Sequence, residues 1–272
     1  MRILVCFQIV PDLSMLALQN RKLDEQGCLD MSYLRKIFDL YDECALESAI
    51  RLSDALKEQG KTVHLEALTI SSDPNEHLLK ILLALKYDKV TYIADNHNNL
   101  NNATSISAVI SSYLAEEGMP DLILTGKQSS EGNNGKLPFL LAERLDIPVL
   151  SDVFSINPEG DNNLEVLSHV PGGTIRTMLH LPAILAVGET DFPKLRVPTI
   201  KDRMTYGKRD ISVFTSDTLL LKGGKALETD RIQISLFTEE KERTGLKIDG
   251  SNHGETAHIL YKDYWLKQVD MP

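Results

Sequence analysis

Apolar positions along the chain follow two alternating periods. Ile3 to Val10 is a nearly continuous apolar and β-branched run closed by Pro11, the pattern of a central strand buried on both faces. Residues 43 to 59 then place Ala45, Leu46, Ala49, Leu52 and Leu56 at helical spacing, with Asp42 as N-cap and Gly60 just past the end, which predicts an amphipathic helix. Val63 to Ile70 predicts a second strand, followed by the polar turn Ser71-Ser72-Asp73-Pro74 and an apolar helix through Leu78, Leu79, Leu82 and Leu85. The alternation continues through a strand from Val90 to Ala94, a helix from about Thr104 to Glu117 ending at Gly118, a strand from Asp121 to Thr125, and a helix from about Gly135 to Leu145.

Strands that alternate with helices imply parallel βαβ units, hence an α/β fold whose sheet is covered on both faces. Ligands in such sheets sit at the carboxyl ends of the strands. After Pro148 the pattern shortens to Leu164 to His169 and Ile175 to Leu181 around Pro171-Gly172-Gly173, a hairpin, followed by a strand from Pro182 to Val187. From about Asp191 proline and charge dominate until a weak helix near Lys262 to Val269. The expected organisation is therefore an α/β domain over residues 1–190 and an extended C-terminal arm over 191–272. Leu219, Leu220, Leu221, Phe237, Leu260 and Trp265 recur along that arm, and a segment with little core of its own would hide them best on another chain.

Composition narrows the class. The chain carries 29 basic and 39 acidic residues, a formal charge of -10, which argues against a nucleic-acid surface because phosphate neutralisation needs clustered Lys and Arg. The apolar start at Met1 to Phe7 is too short for a signal peptide, and no apolar run approaches the roughly 20 residues of a membrane helix. Cytoplasmic residence and no membrane insertion are the expectation. Cys6, Cys28 and Cys44 form no CxxC spacing and read as buried or free thiols rather than disulfides or metal ligands.

The stretch Thr125-Gly126-Lys127-Gln128-Ser129-Ser130-Glu131-Gly132-Asn133-Asn134-Gly135 lies between a predicted strand and a predicted helix. Glycines allow close backbone approach, Ser and Asn offer donors, and a helix start supplies free N–H groups, so its composition suits a phosphate; a flexible polar loop is the bland alternative. It is neither a Walker P-loop nor a GxGxxG fingerprint. A second polar site, Asp39-Leu40-Tyr41-Asp42-Glu43, precedes the first helix; it reads either as a helix cap with solvated acids or as a loop folded over the end of the first strand, lining the same crevice. The seven histidines lack HxxxH or HxH spacing, no GxSxG elbow occurs, and no cysteine has a nucleophile context. Side-chain catalysis has no visible seat, and the chain is expected not to be an enzyme.

Taken in order, several segments resemble the beta subunit of electron transfer flavoproteins. Ile3-Leu4-Val5-Cys6-Phe7-Gln8-Ile9-Val10-Pro11-Asp12 is similar to that family's first strand and turn, and Leu40-Tyr41-Asp42-Glu43-Cys44-Ala45-Leu46-Glu47-Ser48-Ala49 to its Asn-Pro-Tyr/Phe-Asp/Cys-Glu segment and helix. Gly126-Lys127-Gln128-Ser129 resembles its Gly-Lys/Arg-Gln-Ala, and Leu141 to Pro148 the helix and turn behind it. Gly172-Gly173 and Leu179-His180-Leu181-Pro182-Ala183 continue the series. The resemblance spans about residues 1 to 210.

It implies an adenine-nucleotide α-hydrolase-like, Rossmann-like fold, AMP or FAD bound in this subunit, an FAD shared with an alpha subunit in a heterodimer, and electrons received from acyl-CoA or other flavin dehydrogenases. By the same resemblance Cys6, Asp39, Tyr41, Asp42 and Ile70 would surround the adenosine. Gly126, Lys127, Gln128, Ser129, Ser130, Gly132, Asn133 and Asn134 would hold phosphate, and Asp191 to Ile200 would meet partner dehydrogenases. The chain departs from the pattern at Asp39-Leu40, where the family has Asn-Pro, and at Gln8-Ile9, where a Lys-Gln is usual. Two other readings stand beside it: an enzyme on the related ATP-pyrophosphatase scaffold, whose phosphate loop Gln8 to Asp12 does not supply, and a stress-type nucleotide-binding homodimer, which leaves the tail unexplained.

Overall fold

The structure, a computed structural model, describes residues 1–16, 31–73, 75–95, 103–130, 135–160, 162–223, 245 and 247–266. The chain divides into two units, Met1–Asp230 and Arg231–Pro272. In chain order the first contains β1 (Arg2–Cys6), β2 (Ile9–Pro11), β3 (Lys36–Phe38), α1 (Leu40–Glu58), β4 (His64–Ser71), α2 (Glu76–Ala84) and β5 (Lys89–Ala94). It continues with α3 (Ala103–Glu117), β6 (Leu122–Gly126), α4 (Leu137–Leu145), β7 (Val149–Glu159), β8 (Asn163–Val170), β9 (Gly173–His180), β10 (Ala183–Val187), α5 (Ile200–Thr205), β11 (Ser212–Thr215) and α6 (Ser216–Gly223).

A period of two along β1 builds the layers. Ile3 and Val5 enter one core with Ala45, Leu46 and Ala49 of α1 and Leu79 and Leu82 of α2. Leu4 and Cys6 enter the other with Ile110 and Tyr113 of α3, Leu141 of α4 and Leu219 of α6. Because both faces are covered, the strand reads as an uninterrupted apolar run. Nine strands form one sheet in the order β11-β5-β4-β1-β6-β10-β7-β8-β9, parallel from β11 to β7 and antiparallel from β7 to β9. The expected α/β fold with a largely parallel sheet is thus what the chain forms.

Three parts differ from the sequence reading. The run from Ile3 to Val10 is two strands, since β2 leaves the sheet to pair antiparallel with β3. The eleven-residue β7 is new; its polar Ser151-Asp152 interrupts the apolar pattern where the strand bulges, with Asp152 in the left-handed region at φ 54. The first unit also runs to Asp230, past the expected boundary at 190. Beyond that point β11 extends the sheet beside β5, Phe214 meets Tyr113 edge to face at 5.3 Å, and Leu219 is buried. Phe214 and Leu219 therefore serve this unit's own core, whereas Phe237 lies outside the described residues.

The segment leading to α5 is strapped along α1. Glu47, 2% exposed, accepts from the Arg196 backbone N–H at 3.0 Å and from its guanidinium at 2.9 Å, while Arg196 also reaches Asp54 at 2.8 Å. Lys194 pairs with Glu43 at 3.0 Å. In the second unit α7 (His253–Ile259), capped by Asn252, continues into a π-helical turn, Leu260–Trp265, whose Leu260 and Trp265 are exposed. The helix expected near residue 262 thus begins earlier, and its end lies outside the described residues. None of the described helices is long and apolar enough to cross a membrane.

Candidate functional site

The chain leaves β1 toward β4 on one side and returns through β6 on the other, so the sheet opens a crevice beyond the carboxyl ends of these strands. A cleft open to solvent occupies it. Its apolar walls come from Leu68 and Ile70 of β4, Ile106 and Ile110 of α3, and Leu137 and Pro138 at the start of α4. Cys6, Gln8, Asp42 and Thr125 form the end nearest the sheet, and Gly126 to Ser129 with Gly135 and Lys136 form the polar rim.

Local pairing sets this geometry. The β2–β3 pair turns the chain back over the end of β1, and the Asp39 N–H donates to the Gln8 carbonyl at 3.1 Å. Helix α1 therefore begins at Leu40 with Asp39, not Asp42, as N-cap. Freed from capping, the Asp42 side chain points into the sheet end, where Oδ2 accepts the Gln8 N–H at 2.7 Å and Oδ1 the Gly126 N–H at 2.8 Å. Burial first, and then the nearby Asp39, push its carboxyl up to about 8, against the downward pull of those two N–H donors. Burial, helped by Asp42, also pushes the Cys6 thiol up to about 12, so Cys6 is a packing residue and not a nucleophile.

Gly126 admits no side chain. A Cβ there would lie 2.5 Å from Asp42 Oδ1, 2.9 Å from the Asp42 backbone nitrogen and 2.9 Å from Tyr41 Cβ. Gly135 takes φ +56, with a Cβ position 3.0 Å from the Lys127 carbonyl, so the loop that joins β6 to α4 has a glycine at each end for a steric reason.

Lys127 does not stand free over the cleft. Its Nζ is 2.9 Å from Asp152 Oδ1 and 4.9 Å from the centre of the Tyr41 ring. Burial is the largest single influence and lowers its pKa, but the hydrogen bond and charge of Asp152, with Tyr41 and Glu189 nearby, together outweigh it and the value stands raised. Ser129 Oγ is within hydrogen-bonding reach of both Gln8 Oε1 and Asp39 Oδ2. Ser130 donates to Asp39 through its backbone N–H at 2.7 Å and its hydroxyl at 3.0 Å.

The cleft brings together Cys6, Asp42, Ile70, Gly126, Lys127, Gln128 and Ser129 among the expected site residues. Asp39, Tyr41 and Ser130 stand behind that lining and hold it. Gly132, Asn133 and Asn134 lie outside the described residues. Sequence reasoning missed Asp152, whose signal is a lone carboxylate inside a strand, and Gln8, noted there as a lost cation yet bonded here through both its backbone and its side chain. An apolar slot with a donor-rich rim suits a planar aromatic ring carrying polar substituents, while the rim glycines are required by the neighbouring Asp42, Tyr41 and Lys127 carbonyl. Among the described residues no group of three His, Cys, Asp or Glu side chains could hold a metal ion.

Residues 29–219 match the Electron transfer flavoprotein domain family. The chain is 31% identical over 277 residues to the Escherichia coli (strain K12) protein named "Putative electron transfer flavoprotein subunit YgcR", with both chains covered completely. It is 26% identical over 271 residues to "Electron transfer flavoprotein subunit beta" of Megasphaera elsdenii, covering 95% of each.

Proposed function

The chain belongs to the electron transfer flavoprotein family, and from that premise we propose that it works as a beta-type subunit: it holds an adenine nucleotide, AMP or FAD, in the crevice beyond β1 and β6 and pairs with an FAD-carrying alpha subunit. One observation carries this reading. The crevice combines apolar walls from β4, α3 and α4 with a backbone rim at Gly126 so close to α1 that no side chain fits. Ile70 and Ile106 would flank the base, and Gln128 with the Gly126–Ser129 rim would face its sugar and phosphate side. The electron-carrying chemistry is the flavin's, and this chain's own residues bind, orient and exclude water. It is therefore a carrier subunit rather than an enzyme in its own right, working in the cytoplasm with flavin dehydrogenases.

The segment 191–200 is the surface proposed to meet those dehydrogenases, and the second unit, Arg231–Pro272, is proposed to lie on the alpha subunit. Full-length chain co-expressed with its alpha subunit should purify as a yellow heterodimer from which acid releases an adenine nucleotide. Gln128→Ala should lower the nucleotide content without changing the fold by circular dichroism. A colourless homodimer, or a heterodimer with no releasable nucleotide, overturns the reading.

A further inference from the structure

Among the described residues of the loop after β6, the Ser129 and Ser130 donors are already bonded inside the protein. Asp39 is 2% exposed. Its Oδ1 accepts the Leu40 N–H at 2.7 Å. Its Oδ2 takes the Ser130 N–H and the Ser129 hydroxyl, both at 2.7 Å, and the Ser130 hydroxyl at 3.0 Å. Both sides of this clasp are anchored, since Asp39 caps α1 and donates its own N–H to Gln8. Asp42, one turn along, fixes the same loop through Gly126. Turning the Asp39 side chain away would leave a buried carboxylate without its donors, which is strongly unfavourable.

A ligand phosphate seeks the same groups, a backbone N–H and flanking hydroxyls. It would meet them with a carboxylate already in place, and like charges repel. A terminal phosphate carries close to two charges at neutral pH, whereas a phosphate esterified on both sides carries one and is disfavoured less.

We propose that Asp39 is a specificity-determining residue, an internal anion that takes the Ser129 and Ser130 donors and turns the crevice against a phosphomonoester dianion. The inference rests on the reading of the crevice as an adenine-nucleotide site and adds a rule for which nucleotides it accepts. At Ser129 and Ser130, a mononucleotide then gains nothing from its phosphate.

The test compares adenosine and AMP on the full-length chain freed of small molecules, by titration calorimetry, in wild type and Asp39→Asn. Asparagine keeps an oxygen for the helix cap and removes the charge. Wild type should bind AMP no more tightly than adenosine. The variant should bind AMP about tenfold more tightly than wild type, the scale of one charge-assisted hydrogen bond, with adenosine changed less than about twofold. Wild type binding AMP at least tenfold more tightly than adenosine overturns the rule for Asp39 while leaving the nucleotide reading intact, and it needs no variant to fold. A variant in which both ligands change equally also overturns it. Binding of neither ligand to wild type removes the nucleotide reading and this inference with it.

Discussion

Asp42 offers the sharpest physical test, because burial and hydrogen bonding pull its carboxyl in opposite directions. Each oxygen accepts a backbone N–H, from Gln8 at 2.7 Å and Gly126 at 2.8 Å, an arrangement that suits an anion. Burial and Asp39 nevertheless raise the carboxyl from 3.8 to about 8. A group raised on folding binds its proton in the folded state across that interval and releases it on unfolding. Its contribution to stability is complete below about pH 4 and lost as pH rises through about 8, at about 1.4 kcal/mol per unit.

Asp42→Asn keeps the shape and abolishes the titration. It also turns an amide nitrogen toward one of the two N–H groups, leaving a buried donor unsatisfied at a cost of about 1–3 kcal/mol. Urea denaturation of both proteins at about pH 5 and about pH 7 isolates the effect, since groups distant from Asp42 cancel in the difference. The wild-type advantage should shrink by about 3 kcal/mol between those conditions, enough to bring the two proteins level or reverse their order. A difference that stays constant would refute the reasoning and mean that the two N–H donors hold Asp42 ionised in the folded protein.

Two further substitutions probe the elements around the crevice. Gly126→Ala forces a methyl to within 2.5 Å of Asp42 Oδ1; overpacking together with the strained Gly126–Asp42 bond should lower the unfolding free energy by about 2–4 kcal/mol, and a loss below about 1 kcal/mol in denaturant melts would show that the turn has room to give. Arg196→Ala leaves Glu47 buried with Arg51 as its remaining cation. The expected loss is about 1–2 kcal/mol, with faster limited proteolysis between residues 190 and 200; unchanged cleavage there would mean that the strap is held by its backbone and Lys194 alone.

The parts of the fold legible in the sequence are those in which a single periodicity prevails. The strand at Leu122 to Gly126 is buried throughout, and α1 carries its apolar stripe where spacing places it, because a helix or strand between two layers must repeat its own period. Legibility failed where one residue answers to two neighbours. Asp42 looks like an N-cap because caps and buried acceptors use the same side chains; only the return of β3 over β1 decides that Asp39 caps and Asp42 reaches the sheet. Asp152 breaks a strand pattern because its left-handed backbone serves a partner 25 residues away, Lys127. Ser212 to Thr215 is too short and polar to announce a strand, and becomes one because β5 otherwise presents a bare edge.

The same tertiary pairing makes the start of α1 a coupling element. Asp42 binds the ends of β1 and β6, and Asp39 binds the loop after β6, so two acids three residues apart hold both sides of the crevice to one helical turn. A ligand that takes the Ser129 or Ser130 donors must loosen Asp39, and by linkage must also change the environment that raises Asp42. Occupancy of the crevice, the charge at position 39 and the pH dependence of folding are therefore one coupled equilibrium. A phosphate-bearing ligand that did bind here should shift the pH profile of stability, whereas a neutral nucleoside held by the apolar walls should raise stability and leave that profile in place.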